Sequence, residues 1–175
     1  MKRIALGGKK GKGLYALVDD EDHEKVARYP WHLHSERYAA HTTKEQTIVL
    51  MHHMIIGKPA AGLVTDHRDD NGLNNQRHNL RHCTHAQNIR NSKLSGLRNG
   101  KPTSSKYRGV KYNKKDRAWH AALQCNGKKY WGGSHRTEEE AALAYNVLAT
   151  KYHGEYARLN DVSAWDHQLA LFTTR

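Results

Sequence analysis

The stretch from Leu63 to Asn91 constrains the chain most. It runs Leu63-Val64-Thr65-Asp66-His67, passes through the turn-forming Asn71-Gly72-Leu73-Asn74-Asn75, and continues Asn79-Leu80-Arg81-His82-Cys83-Thr84-His85-Ala86-Gln87-Asn88. A strand over 63–67 with a returning partner over 79–83 is the expected pairing. Thr84 followed three residues later by Gln87 is a capping box, which predicts a helix opening there with Asn88 in its first turns. His67 lies twelve residues before Asn79, and Asn79 nine before Asn88. A strand-strand-helix hairpin would therefore bring Asp66, His67, Asn79 and Asn88 together.

These residue types suit one chemistry. A carboxylate and an amide carbonyl are hard oxygen ligands, fit for Mg2+ or Mn2+ with positions left open for phosphate oxygens and water. A histidine with an ordinary pKa of roughly 6.5 is the natural base beside them. Asp66 and His67 point to opposite faces of a regular strand, so the strand end must twist or bulge for both to serve one site.

Charge points to the partner. Lysine and arginine total 29 against 17 acids, a net +12 with a sequence pI near 9.8, which favours a polyanion such as nucleic acid. From Arg90 to Arg136 there are thirteen lysines or arginines and one acid, Asp116, whereas residues 19–24 read Asp-Asp-Glu-Asp-His-Glu. A gripping region distinct from an acidic front is the implication. Cys83 and Cys125 are the two cysteines and form no C-x-x-C pair, so neither a disulfide framework nor structural zinc is expected. The amino-terminal residues lack a signal-peptide apolar core and no long apolar run is present, so a cytoplasmic protein without membrane contact is expected.

Other elements follow from local signals. Gly7, Gly8, Gly11 and Gly13 precede Leu14 to Val18, a turn feeding a short strand. A helix should follow, capped by Asp20 or Asp22, with Val26 and Tyr29 as its apolar face and Pro30 as its stop. Tyr38 to His41 and Thr47 to Met51 read as strands. Ser92 to Ser105 has turn formers and no hydrophobic period, so it reads as a basic linker. Beyond it, Lys106–Tyr112, Ala118–Gln124 and Lys128–Gly133 are three strand-like runs, the last two joined by Asn126-Gly127, a strong hairpin signal. Thr137-Glu138-Glu139-Glu140 is a second capping box. It opens a helix in which Ala141, Tyr145, Leu148, Ala149 and Tyr152 recur at helical spacing until Gly154.

The central block resembles the HNH endonuclease family, particularly its phage and intron-encoded homing members. The matching residues are Met51-His52-His53-Met54-Ile55-Ile56, Asp66-His67, the Asn71–Asn75 loop, Asn79-Leu80-Arg81 and Cys83 to Asn88. Ala16 to Asp22 and Tyr29-Pro30-Trp31 look like the leader ahead of such domains. The resemblance implies that Asp66 and Asn88 bind one divalent metal, Mg2+ or Mn2+, that His67 is the general base, and that Asn79 orients it. His52 either assists the site or supports it from beneath; His78, His82 and His85 read as surface or phosphate-contacting residues. His53 departs from the usual arginine, and Asn74 from a frequent aspartate.

The basic region resembles the Apetala-type, ethylene-response-factor DNA-binding domain through Tyr107-Arg108-Gly109-Val110, Trp119 to Leu123, Asn126 to Trp131 and Tyr156 to Asn160. That family lays a three-stranded sheet in the major groove, and the carry-over places Arg108, Lys111, Lys129 and Trp131 at DNA contacts, with Arg117 beside them. Gly132 stands where leucine is usual and His135 where an aromatic is usual, and the 113–117 loop differs in length. The fold expected is α+β: a ββα-metal (His-Me finger) nuclease domain plus a small three-stranded antiparallel sheet packed on one helix. Its divisions are a leader over 1–50, the nuclease core over 51–91, the linker over 92–105, the DNA-binding domain over 106–160 and a tail over 161–175. The partner is double-stranded DNA, the chain a monomer or homodimer, and the product a nick or a double-strand break. A binding protein that has lost catalysis and a basic RNA-associated protein are the rival readings.

Overall fold

The structure is a computed structural model, and its description covers residues 1–91, 97–98 and 101–162. Half of the segment read as a linker, and all but the start of the 161–175 tail, lie outside the described residues. Two compact units divide the chain, residues 1–89 and 90–175. Leader and Asp66-His67 block thus share the first of them.

In the first unit β1 (Lys2–Ala5) and β2 (Tyr15–Val18) form an antiparallel hairpin. Helix α1 (Asp20–Ala27) follows. Next come the three-stranded antiparallel sheet β3 (His32–His34), β4 (Tyr38–Thr42) and β5 (Ile48–Leu50), in that order, and helix α2 (Met51–Ile56). The last element is the hairpin β6 (Leu63–His67) and β7 (Leu80–Thr84), with helix α3 (His85–Asn91) running directly out of it. Ala16, Val18, Val26, Trp31, Ala39, Met51, Ile55 and Leu80 form the core. The Trp31 indole donates to the Val26 carbonyl at 2.7 Å, so its burial leaves no polar atom stranded.

Helix α1 corrects one expectation. Asp19, not Asp20 or Asp22, occupies the cap position, and no side chain caps the helix. The Asp19 carboxylate instead accepts from Gln76 Nε2 at 2.9 Å and from the Arg77 amide at 2.8 Å. Asp22 is buried and takes a two-pronged hydrogen bond from Arg77, at 2.7 and 2.8 Å. Capping yields here to a longer-range demand, because Arg77 would otherwise lie beside a buried, unpaired carboxylate.

The second unit holds a pair of two-residue strands, β8 (Leu97–Arg98) and β9 (Lys101–Pro102), then the three-stranded antiparallel sheet β10 (Val110–Asn113), β11 (Ala118–Cys125) and β12 (Lys128–His135). Helix α4 (Glu138–His153) packs on that sheet. Strand β10 starts four residues later than expected. Residues 105–108 are tied elsewhere, Ser105 Oγ donating to Glu138 and the Arg108 amide to Asn160 Oδ1. Asn126 and Gly127 both have positive φ, the twist a two-residue hairpin turn needs. The capping box of α4 is complete, the Glu140 amide donating to Thr137 Oγ1 and the Thr137 amide to Glu140 Oε2.

Val110, Ala121, Leu123, Cys125, Ala141, Tyr145 and Ala149 fill the seam between sheet and helix. Burying a side chain such as Leu123 contributes about 1.5–3 kcal/mol. Two glycines set the fit. A Cβ at Gly132 would lie 2.9 Å from the Ala121 side chain and 3.1 Å from Leu148, and at Gly109, whose φ is +69°, it would enter the Tyr145 ring. The departure at Gly132 is therefore what lets helix and sheet approach.

Candidate active site

Register places the chemistry at one end of the β6–β7 ladder. Asp66 faces Arg81 and His67 faces Leu80 across the strands. Both Asp66 and His67 are 3% exposed, so the strand end buries side chains from either face. Arg81, itself buried, holds Asp66 Oδ2 through Nε and Nη2, each at 2.8 Å.

Asn88, in α3, is tied by its backbone to Cys83 of β7. Its backbone N–H donates to the Cys83 thiol, and Asp66 acts electrostatically on that thiol, which burial first and the Asp66 charge second push upward. The cap at the start of α3 fixes this helix: the Thr84 amide donates to Gln87 Oε1 at 2.8 Å and the Gln87 amide to Thr84 Oγ1 at 3.3 Å. A carboxylate such as Asp66 and an amide oxygen such as that of Asn88 are hard donors, of the kind that suit Mg2+ or Mn2+. Among the described residues no group of three His, Cys, Asp or Glu side chains stands ready to hold a metal.

His67 sits in an aromatic and amide cage. Tyr38 lies 5.7 Å from its ring and His52 5.2 Å, the latter edge-on. Burial pushes the imidazole below its ordinary value, against the opposing influence of the Asn75 side chain and of the charges of Asp69 and Asp66. The neutral ring, able to take a proton, is thereby favoured. His52 is buried more severely in effect. Burial and the rings of His67, His53 and His82 push it down to about 3, so it stays neutral at ordinary pH.

The two asparagines divide roles differently from expectation. The Asn79 side chain donates to Asp69 Oδ1 at 2.9 Å and to the Asn74 carbonyl at 2.8 Å, and accepts from the Asp69 amide at 3.0 Å. It orders the loop after His67, and its hydrogen bonds among the described residues go there rather than to the imidazole. Asn75, wholly buried, is the amide whose side chain acts on the His67 ring, while its own Nδ2 donates to the Leu73 carbonyl at 3.1 Å. Its own backbone N–H donates to Leu17 of β2 at 2.8 Å. Burial resists ionisation of Asp69, yet hydrogen bonds from Asn74, the Asn71 amide and Asn79 outweigh it and lower the carboxyl. Asn74, in place of an aspartate, supplies one of these donors at 2.8 Å. Asn75, Asp69 and Tyr38 were missed by sequence reasoning; only the Asn-rich loop signalled the first two.

In the second unit the sheet turns one face away from α4. Lys111 opposes His120, Lys129 opposes Gln124 and Trp131 opposes Ala122, and by strand alternation these positions share that face. Trp131 is 54% exposed, with His120 edge-on at 4.8 Å. Arg117 is exposed in the β10–β11 turn. Arg108 lies apart from this face, hydrogen-bonded to Tyr145. Trp119 pairs edge-on with Tyr112 and packs on the core.

Comparison with known proteins decides the family. No protein-family model matches the chain, and no solved structure matches it. An uncharacterised HNH endonuclease of Acanthamoeba polyphaga mimivirus is 33% identical over 156 residues, covering 87% of this chain and 78% of the relative. The chain belongs to the HNH endonucleases. As an HNH endonuclease it is an enzyme, and its mixed α/β architecture of small sheets is compatible with that membership. No described helix is long and apolar enough to cross a membrane.

Proposed function

We propose that this HNH endonuclease is a homing-type enzyme that nicks or cuts duplex DNA with one divalent metal, Mg2+ or Mn2+, held by Asp66 and Asn88, and with His67 as general base on a ββα-metal hairpin. The observation that carries the reading is the burial of Asp66 and His67 side by side at the end of β6, with Arg81 paired to the carboxylate and Tyr38 and His52 packed beside the imidazole.

The side chains divide the work. One nitrogen of the His67 imidazole, kept neutral by burial, takes the proton from the attacking water. Asn75 and Tyr38 fix the ring's orientation, and Asn79 holds the 69–74 loop that surrounds it. Arg81 holds the Asp66 carboxylate in place through Nε and Nη2. When bound, the cation neutralises charge on the phosphate and on the leaving 3′ oxygen. His52 supports the His67 ring from within, as a neutral edge-on neighbour.

The second unit grips DNA, with Lys111, Arg117, Lys129 and Trp131 on or beside one sheet face. Its sheet, hairpin turn and helix support the likeness to the Apetala-type domain. Lysine and arginine there hold phosphates, and Trp131 offers apolar contact to sugars or bases. Arg108, tied to Tyr145, contributes more to the module's own packing. A monomer carries one site, so a nick is its simplest product, and a double break takes a homodimer or two successive nicks.

The test is conversion of supercoiled plasmid to open circle with Mg2+ or Mn2+. His67→Ala should slow it by about 10²–10⁴-fold, the usual contribution of a general base. Undiminished cutting by that variant refutes the assignment.

A further inference from the structure

The loop joining β1 to β2 reads Gly7-Gly8-Lys9-Lys10-Gly11-Lys12-Gly13, and all three lysines are exposed. It is not slack. The Gly7 amide donates to the Trp31 carbonyl at 2.7 Å, Gly11 to Gly8 at 3.2 Å, Leu14 to Gly11 at 2.9 Å and Leu6 to Leu14 at 3.0 Å. Gly8 and Gly13 have positive φ, and a Cβ at Gly11 would strike the Gly7 carbonyl. Glycine is thus required for a fixed shape that carries three cations and ties up none of them in the core.

This loop is joined to the catalytic end of the unit. Lys10 Nζ meets Glu36 Oε1 at 3.0 Å, and Glu36 stands in the β3–β4 turn immediately before Arg37. The Arg37 guanidinium lies over the Tyr38 ring, 5.5 Å from its centroid, and pairs with Asp70 at 2.5 Å. Tyr38 is the ring beside His67, and the Asp70 amide donates to the His67 carbonyl at 2.8 Å. A Cβ at Gly72 would strike the Arg37 carbonyl and Tyr38, so that glycine lets the 69–74 loop close against this pair. Arg37 remains 47% exposed. A run of cations therefore leads from the glycine loop to the rim of the His67 cage, with Glu36 and Asp70 as its facing acids.

We infer that Lys9, Lys10, Lys12 and Arg37 form a second DNA-binding strip, on the nuclease unit itself, that holds the phosphate backbone of duplex DNA beside the bond to be cut. The inference rests on the nuclease reading above. Lys10 exchanges Glu36 for a phosphate on binding, and Arg37, whose fork matches phosphate oxygens, stands nearest the chemistry. A rigid loop loses little entropy when it engages.

The experiment compares salt dependence in the full chain, using a short duplex of arbitrary sequence and fluorescence anisotropy without metal. Replacing Lys9, Lys10 and Lys12 together by Gln should reduce the slope of log Kd against log salt by about 2.7, at about 0.9 for each phosphate no longer neutralised, and weaken binding roughly tenfold or more. A charge-matched variant, Lys2, Lys44 and Lys151 to Gln, should leave the slope near its original value. Arginine at 9, 10 and 12 should restore it, and Arg37→Gln should lower it by about 0.9 more. An unchanged slope in the glycine-loop variant, an equal reduction in the charge-matched variant, or tighter capture of structured RNA than of duplex overturns the strip. Failure of the nuclease reading is seen separately, as plasmid nicking that persists in His67→Ala.

Discussion

Lowering a solution from about pH 7.5 to about pH 5 perturbs one ring of the nuclease unit in particular. His52 is 4% exposed and faces His53 on its own helix, Tyr38 on β4, His67 on β6 and His82 on β7. Burial, reinforced by the neighbouring imidazoles, takes it from 6.5 to about 3. In the unfolded chain the ring regains its ordinary value. The unfolded state therefore binds a proton below about pH 6.5 that the folded state refuses until about pH 3, so stability is full above the first value and falls as pH drops toward the second. For this single group the linkage amounts to about 2 kcal/mol between pH 7.5 and pH 5.

Urea unfolding reads it, with Trp31 fluorescence as the probe in a background of Trp119, Trp131 and Trp165 changed to Phe, since Trp31 lies in the core of the first unit. The midpoint should fall by roughly 1 M urea over that pH range, and by much less in His52→Leu, which cannot titrate. His67 and His53, also lowered by burial, contribute in both proteins and cancel in the comparison. Equal pH dependence in the two would show that the folded ring binds the proton as readily as the unfolded one, and the burial argument would fall.

Arg81→Met should destabilise the first unit by about 3–5 kcal/mol, because it leaves Asp66 buried without its cation; the same urea titration at neutral pH measures it. Gly109→Ala should cost the second unit more than about 1 kcal/mol and lower its melting temperature, since the new methyl meets Tyr145 at a backbone angle alanine avoids; circular dichroism melting follows it. Trp131→Ala should weaken duplex binding by about 1 kcal/mol, the worth of the apolar surface it would cover, with little change in melting, because its side chain is half exposed; anisotropy titration reads the effect.

Legibility in the sequence followed the range of the interaction. Thr84-x-x-Gln87, Thr137-x-x-Glu140 and Asn126-Gly127 act within four residues, and each appears where its local chemistry places it. Asp66 and His67 were readable as a pair because β6 alone delivers them. Asn75 was not, since its buried place depends on a loop folded back onto β2, where its amide donates to Leu17, and no period or spacing encodes that contact. The same reason hid Asp19: fifty-seven residues separate it from Gln76, whereas a cap is judged on the next three. Arg37 was silent for a similar cause, being one basic residue among many until Tyr38 and Asp70 give it a position.

Arg77 bears on how such a domain could be moved between proteins. Its guanidinium spans Glu21 and Asp22 while its amide reaches Asp19, and Leu17 receives the Asn75 amide. A graft of residues 63–91 onto a foreign scaffold would transport the acid, the base and the helix yet leave the anchors of their intervening loop behind. The smallest transplantable nuclease therefore begins at the first hairpin.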